Sequence, residues 1–158
     1  MLQLMLDLAD IEGDVLDSNM LEAAMANQDV VYANLAGQLE QEARCIVKAM
    51  QATGLKRLIF ISSMGIYDEV PGERSGAILD PYRKSASVIE ASGLEYTIVR
   101  PAWLNDRDEI DYATTQKGEL SKNASESVSR KSVADLVVKL ATTPGLEIRA
   151  SLGVHRAS

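Results

Sequence analysis

The chain has 158 residues, of which 46% are hydrophobic, so we expect residues 1–158 to form one domain with its own core. A net charge of -7 and a pI near 4.7, with no basic stripe of Lys and Arg, argue against nucleic acid or an anionic membrane as partners. One cysteine excludes an internal disulfide, and one histidine argues against a zinc site or a histidine-based catalytic triad.

The first predicted elements are a weak strand and a short helix. Residues Ala9 to Val15 form the weak strand, which ends in Gly-Asp. Asp17 or Ser18 can cap the helix, because both side chains can accept hydrogen bonds from the first free N–H groups. Apolar side chains share one face of this helix, which closes at residues Asn27 to Asp29.

The next three elements predict a right-handed βαβ unit. A strand with the sequence DVVYANL ends at Leu35, and a helix from Gln38 to Thr53 follows with an apolar stripe and Gly54 as its stop. The run KRLIFISSMGIY, from Lys56 to Tyr67, then contains four consecutive apolar residues. Such a run indicates a strand buried on both faces, as in a parallel sheet covered by helices.

The second half of the chain continues the alternation. Residues Asp68 to Leu79 predict a loop over the strand ends, and Asp80-Pro81 opens a helix that ends at Gly93. Residues Tyr96 to Val99 predict a third buried strand. The remaining predicted elements are a short strand or hairpin within Asn105 to Lys122, a helix capped by Ser129, and a last strand near Leu146 to Leu152.

Polar residues at the end of the second buried strand are the first functional signal. Two serines, Ser62 and Ser63, follow Ile61 directly, and Gly65 and Tyr67 come shortly after them. Open α/β sheets bind ligands in the crevice beyond the carboxyl ends of their strands. The alternative for each serine is that it caps the following turn.

Four motifs, GDVLD, RLIFISSMGIY, SGLEYTIVRPAWL and VSRKSVADLV, together resemble one known family. The chain resembles the atypical short-chain dehydrogenases/reductases, in the branch of NmrA-like NAD(P)-binding Rossmann proteins, from about Ile11 to about Leu152. The resemblance implies an α/β fold, a Rossmann-like parallel sheet with flanking helices, and NAD or NADP as cofactor. Many members are reductases, and some only sense the cofactor.

The resemblance also implies cofactor contacts. Asp14 and Val15 of GDVLD match the motif that holds the adenine ring, although Asp14 could equally end a strand and cap a turn. The segment NLAG matches residues beside the cofactor ribose: Asn34, Leu35, Ala36 and Gly37. Gly37 leaves room for a ligand, or it is a simple turn residue.

For catalysis, the resemblance implies that Ser62 or Ser63 donates a hydrogen bond to a substrate carbonyl. The family's catalytic Tyr and Lys, four residues apart, are not reproduced, because Ala86 stands four residues after Tyr82. Tyr67 is the alternative acid, or a lid residue. Trp103 is expected to pack in the fold rather than to wall a site. The acidic run after Asn105 predicts a solvated loop, and no metal site is expected.

No glycine-rich phosphate-binding turn is found in the sequence. The sequence therefore predicts a Rossmann-like domain incomplete at its N-terminal side, with weak or absent cofactor binding. Its expected function is NAD(P)-dependent reduction of a small carbonyl substrate. The alternatives are a non-catalytic NAD(P)-sensing or interaction module and a fragment without independent activity. The expected location is cytoplasmic, because no apolar run is long enough to span a membrane and no basic leader opens the chain.

The missing strands also bear on assembly. In the Rossmann order, the family's first two strands separate Ala9 to Val15 from the strand at Val30 to Leu35. An unpaired central strand would present free N–H and C=O groups. We therefore expect either that the first strand moves to pair with Val30 to Leu35, or that the exposed sheet edge makes the protein a homo-oligomer.

Overall fold

The computed structural model describes residues 10–74 and 76–158, and its centre is a five-stranded sheet. The strands of this sheet are β1 Val30–Ala33, β2 Arg57–Ile61, β3 Glu95–Pro101, β5 Ala113–Thr115 and β7 Ala150–His155. They lie in the order β1-β2-β3-β7-β5. The first four are parallel, and β5 runs antiparallel to β7. The expected α/β fold with a Rossmann-like, mostly parallel sheet is therefore confirmed.

Helices and a second, smaller sheet surround these strands. The helices are α1 Ser18–Met25, α2 Leu39–Thr53, α3 Asp80–Glu90 and α4 Arg130–Thr142, with one 3-10 turn at Ala77–Leu79. Strands β4 Leu104–Asn105 and β6 Val128–Ser129 form a parallel pair. Within residues 10–74 and 76–158, no helix is both long and apolar enough to cross a membrane.

The core lies on both faces of the sheet, as the apolar run in β2 predicted. Leu58 and Phe60 face the cluster that includes buried residues of α1, α2 and α3. Ile59, between them, belongs to the opposite cluster, which includes buried residues of α4. All three side chains are fully buried, so β2 is covered from both sides.

Local signals in the sequence set the helix ends. The Asp17 carboxylate accepts hydrogen bonds from the amides of Asn19 and Met20 at 3.1 Å and caps α1. Gly54 ends α2 with a φ of 75°, a conformation that glycine adopts without steric cost. Ser129 caps α4 as predicted.

The predicted strand from Ala9 to Val15 is wrong for the part of it that the structure describes. Residues 10–15 form no strand, and Ala9 lies outside the described residues. Instead, the Asp14 carboxylate accepts a hydrogen bond from the Leu16 amide at 2.9 Å. The backbone carbonyl of Asp14 accepts another from the Asp17 amide, also at 2.9 Å. An Asp side chain that accepts a hydrogen bond from the backbone amide two residues later favours a turn over a strand.

The last strand lies further along the chain than predicted. It begins at Ala150, because a turn precedes it in which Glu147 and Arg149 both have positive φ angles, 51° and 56°. The short strand expected within Asn105 to Lys122 is confirmed as β5. No other strand of the described residues pairs with the outer edge of β1, so the first-strand rearrangement is not seen there.

Candidate functional site

A cleft of about 750 Å³ opens beyond the carboxyl ends of β2 and β3. Its base is formed by the residues that follow each strand, and the loop that ends in the 3-10 turn forms one wall. Parallel neighbouring strands bring their carboxyl ends to the same edge of the sheet, which is why these segments meet. The residues that line this cleft include Ser62, Ser63, Glu73, Arg74, Ile78, Tyr82, Trp103, Leu104 and Arg130.

The two serines predicted from the sequence both line the cleft, but their hydroxyls differ. Ser62 is 5% exposed, and its amide donates to the Val99 carbonyl at 2.7 Å, which ties it to β3. Its Oγ is buried and has no hydrogen-bond partner among the described residues. Ser63 Oγ donates to the Met64 carbonyl at 3.1 Å. An unsatisfied buried hydroxyl costs about 1–3 kcal/mol, so Ser62 Oγ is a candidate group for hydrogen bonding to a ligand atom.

A buried ion pair holds the turn that follows the serines. Glu69 is 5% exposed and accepts hydrogen bonds at 2.9 Å from the amides of Gly65 and Tyr67. It also pairs with Arg100, which is fully buried in β3. Arg100 in turn donates to the side chain and carbonyl of Ser151 in β7, at 2.9 and 3.0 Å. The turn between Ser62 and Glu69 is thereby fixed to two strands.

Tyr67 does not line the cleft, although the sequence made it a candidate acid. Its hydroxyl donates to Glu90 at 2.5 Å, and its oxygen lies 3.0 Å from Ser151 Oγ. Lys117 sits 4.5 Å above its ring and also pairs with Glu90 at 2.9 Å. Burial and, after it, the hydrogen bond to Glu90 raise the pKa of Tyr67 well above its ordinary value. This phenol therefore holds its proton tightly.

The residues matched to cofactor contacts lie before α1 and directly after β1. Asn34, Leu35, Ala36 and Gly37 follow β1 directly, at the carboxyl edge that β2 shares. Leu35 and Val15 pack against the same core cluster, whereas Asp14 is exposed. Gly37 has a φ of 108°, and a Cβ added to it would meet nothing nearer than the Glu42 side chain at 3.8 Å. A Cβ at Gly37 would therefore make an ordinary van der Waals contact, and Asn34, Ala36 and Gly37 are exposed at this edge.

Sequence reasoning missed several cleft residues and misjudged one. Trp103 was expected to be packed, but it is 80% exposed at the cleft. Arg74, Tyr82 and Arg130 also line the cleft, and no local motif marks the two arginines. Glu69 could have been anticipated, because a buried Arg100 inside an apolar strand requires a carboxylate partner.

Carboxylates of the acidic run beyond Asn105 form ion pairs with residues of α4. Asp106 pairs with Arg130 at 2.6 Å, and Asp108 pairs with Lys131. In the part of the chain that the structure describes, no three His, Cys, Asp or Glu side chains are grouped to hold a metal ion. The run is therefore a solvated surface segment that is cross-linked to α4 by ion pairs.

Known proteins share both the sequence pattern and the fold. A family model described as NAD(P)H-binding matches residues 6–144. A Rossmann-fold NAD(P)-binding family protein from Shigella flexneri is 46% identical, with a TM-score of 0.82, and the match covers 92% of this chain and 69% of that chain. A short-chain dehydrogenase/reductase from Veillonella parvula DSM 2008, solved in complex with NADP, is 27% identical at the same TM-score over 92% and 71%.

More distant structures share the fold alone. ChuY, an anaerobillin reductase from Escherichia coli O157:H7, is 21% identical with a TM-score of 0.77, over 91% of this chain and 73% of that chain. No curated protein matches the chain. The two nearer similarities therefore carry the argument about family, and the cleft carries the argument about chemistry.

Proposed function

The chain belongs to the NAD(P)H-binding family, among proteins of the short-chain dehydrogenase/reductase type, and on that premise we propose that it is an NAD(P)-dependent oxidoreductase. In this proposal, a single domain of the NmrA-like type reduces a small carbonyl substrate in the cleft beyond β2 and β3. A cytoplasmic location remains a prediction. The observation that carries the proposal is the buried, unpartnered hydroxyl of Ser62 on the cleft wall.

Ser62 would act on the carbonyl oxygen. NAD(P)H, when bound, would supply a hydride to the carbonyl carbon, so negative charge would develop on the carbonyl oxygen and a proton would have to reach it. A hydrogen bond from Ser62 Oγ stabilises that charge, and the hydroxyl loses no protein partner when it turns to the substrate. Ser63 is the second candidate, but its hydroxyl would first have to release its hydrogen bond to the Met64 carbonyl. Tyr82, the phenol among the lining residues, is our proposed source of the proton.

The cofactor would lie along the edge that β1 and β2 share. We propose that Asp14 and Val15 contact the adenine and that Asn34 to Gly37 contact the ribose. The exposure of Asp14, Asn34 and Gly37 supports this placement. Because the sequence contains no glycine-rich turn for the pyrophosphate, we expect weak or no binding of NADH or NADPH by this chain. Isothermal titration calorimetry tests this expectation, and micromolar affinity for either cofactor would contradict it.

The enzyme proposal is tested by removing one hydroxyl. With NADPH in large excess and a panel of aldehydes and ketones, Ser62→Ala should lower kcat by about 10²-fold or more, as for a lost oxyanion donor. Ser121→Ala is the matched control, because Ser121 is also buried with an unpartnered Oγ but lies outside the cleft lining. Ser63→Ala completes the set. If neither Ser62→Ala nor Ser63→Ala changes kcat, the catalytic role proposed for the serine pair is wrong.

A cofactor-sensing or interaction module is the second candidate function. It is favoured by the absence of lysine among the lining residues, because the family's usual acid needs an adjacent ammonium to lower its pKa. The lining cations are the arginines Arg74 and Arg130. Binding of NADPH without turnover of any compound in the panel would favour this second function over the first.

A further inference from the structure

The mouth of the cleft is unusually apolar for a surface. Of the eight large hydrophobic residues that are exposed in the described part of the chain, three line this one cleft, so they form a patch rather than scattered contacts. Ile78 is 83% exposed, Trp103 80% and Leu104 41%. Exposed apolar side chains that gather around a cavity are typical of a ligand site. The patch indicates a ligand with an apolar body.

Two arginines stand in the same cleft of an otherwise acidic protein. Arg74 has no ion pair or hydrogen bond among the described residues. Arg130 pairs with Asp106, but Asp106 is 88% exposed, and such solvent-screened pairs are weak. Glu73 is the one acidic residue of the lining. A chain with a net charge of -7 thus presents guanidinium groups where its ligand would enter, which indicates an anionic group on that ligand.

We propose that the cleft takes hydrophobic oxo acids, that is, carboxylates that also carry a ketone and an apolar or aromatic body. The ketone oxygen meets Ser62 Oγ, the carboxylate pairs with Arg74 and secondarily Arg130, and Trp103 and Ile78 cover the apolar body. The volume of about 750 Å³ suits such a ligand, because small-molecule sites typically measure about 300–1,000 Å³. The reaction of this ligand rests on the proposed function, but its binding does not.

Trp103 makes the test direct, because it is the single tryptophan of the sequence and lies in the cleft. We would titrate the protein with 5-oxo-5-phenylpentanoate and with its methyl ester and follow tryptophan fluorescence. The acid should bind about fivefold tighter or more than the ester, with the difference shrinking at high salt. Arg74→Gln should remove most of the difference and leave only the part that Arg130 contributes, and Arg74→Lys should keep more of it. The control Arg44→Gln, on the exposed face of α2, should leave the difference unchanged.

Three results would overturn the inference. The first is equal affinity for acid and ester, and the second is an acid preference that is undiminished in Arg74→Gln. The third is an Arg74→Gln variant that loses the NADPH affinity measured for the wild type while its affinity for the oxo acid is unchanged, since Arg74 would then serve the cofactor phosphates. Failure of the proposed function gives different results. Tight, Arg74-dependent binding without turnover supports the inference and contradicts the enzyme proposal. Equal turnover of neutral ketones and oxo acids supports the enzyme proposal and contradicts the inference.

Discussion

The buried ion pair between Arg100 and Glu69 provides the sharpest stability prediction. Arg100→Met removes the guanidinium but leaves the Glu69 carboxylate 5% exposed, with the Gly65 and Tyr67 amides as its remaining donors. It also removes two hydrogen bonds to Ser151. Breaking a buried pair in this way costs about 3–5 kcal/mol, because an uncompensated charge stays behind in the core.

That cost is large enough to measure by two independent assays. For a domain of this size each kcal/mol lowers Tm by about 2–4 °C, so Arg100→Met should lower Tm by roughly 6–20 °C. Urea unfolding followed by circular dichroism gives the free energy itself. Arg44→Met is the matched control, since Arg44 is 63% exposed and pairs with Glu40 one helical turn away. Its loss should stay below about 0.5 kcal/mol.

A double variant separates the pair from its neighbourhood. Glu69→Gln keeps an acceptor for the backbone amides and removes the charge, so combining it with Arg100→Met should cost less than the sum of the two single changes. We expect a difference of about 0.5–3 kcal/mol, the range found for residues in direct contact. If Arg100→Met costs no more than Arg44→Met, or if the two single costs simply add, the interpretation of this pair as a structural clamp is wrong.

Two further predictions concern the rest of the sheet. Burial and, to a smaller extent, the charge of Lys122 lower the pKa of His155 from 6.5. As the pH falls, the imidazole is therefore protonated in the unfolded chain before it is protonated in the folded one. The free energy of unfolding should consequently fall as the pH drops below 6.5. An NMR titration of this single imidazole should show the lowered pKa. His155→Gln should reduce the dependence of the free energy of unfolding on pH below 6.5. We also propose that the outer edge of β1 pairs with a second copy, so light scattering should give at least a dimer mass. Tyr32→Lys in β1 should dissociate it and Val138→Lys on α4 should not, whereas a monomeric wild type would contradict the proposal.

The sequence predicted the parallel centre of the fold because its signals there are local and agree with one another. The apolar run in β2, the stripe of α2 and the left-handed stop at Gly54 all follow from chain neighbours. The predictions of the first and last strands were wrong for a different reason. The stretch before α1 bonds to itself through Asp14, and the start of β7 depends on positive φ at Glu147 and Arg149, which no apolar pattern reveals.

The candidate site could be predicted only where it follows from strand ends. Ser62 and Ser63 were found because a serine that ends a buried parallel strand must emerge at the ligand edge. Arg74 and Arg130 come from a loop and a helix start, distant in sequence, and only the folded chain brings them to one cleft. Trp103 was misjudged because aromatic residues are usually buried, and its 80% exposure reflects the cleft mouth.

Stability and function meet in the turn between Ser62 and Glu69. The same Glu69 carboxylate that neutralises Arg100 also holds the amides of Gly65 and Tyr67, so the backbone beyond Ser62 has little freedom. The Ser62 amide is fixed at its other end by Val99. A hydroxyl on such a segment gives up little conformational entropy when it binds, because its backbone is already ordered before the ligand arrives. The buried pair of Arg100 and Glu69 thus fixes the backbone beside Ser62, the residue to which we assign the hydrogen bond to the substrate.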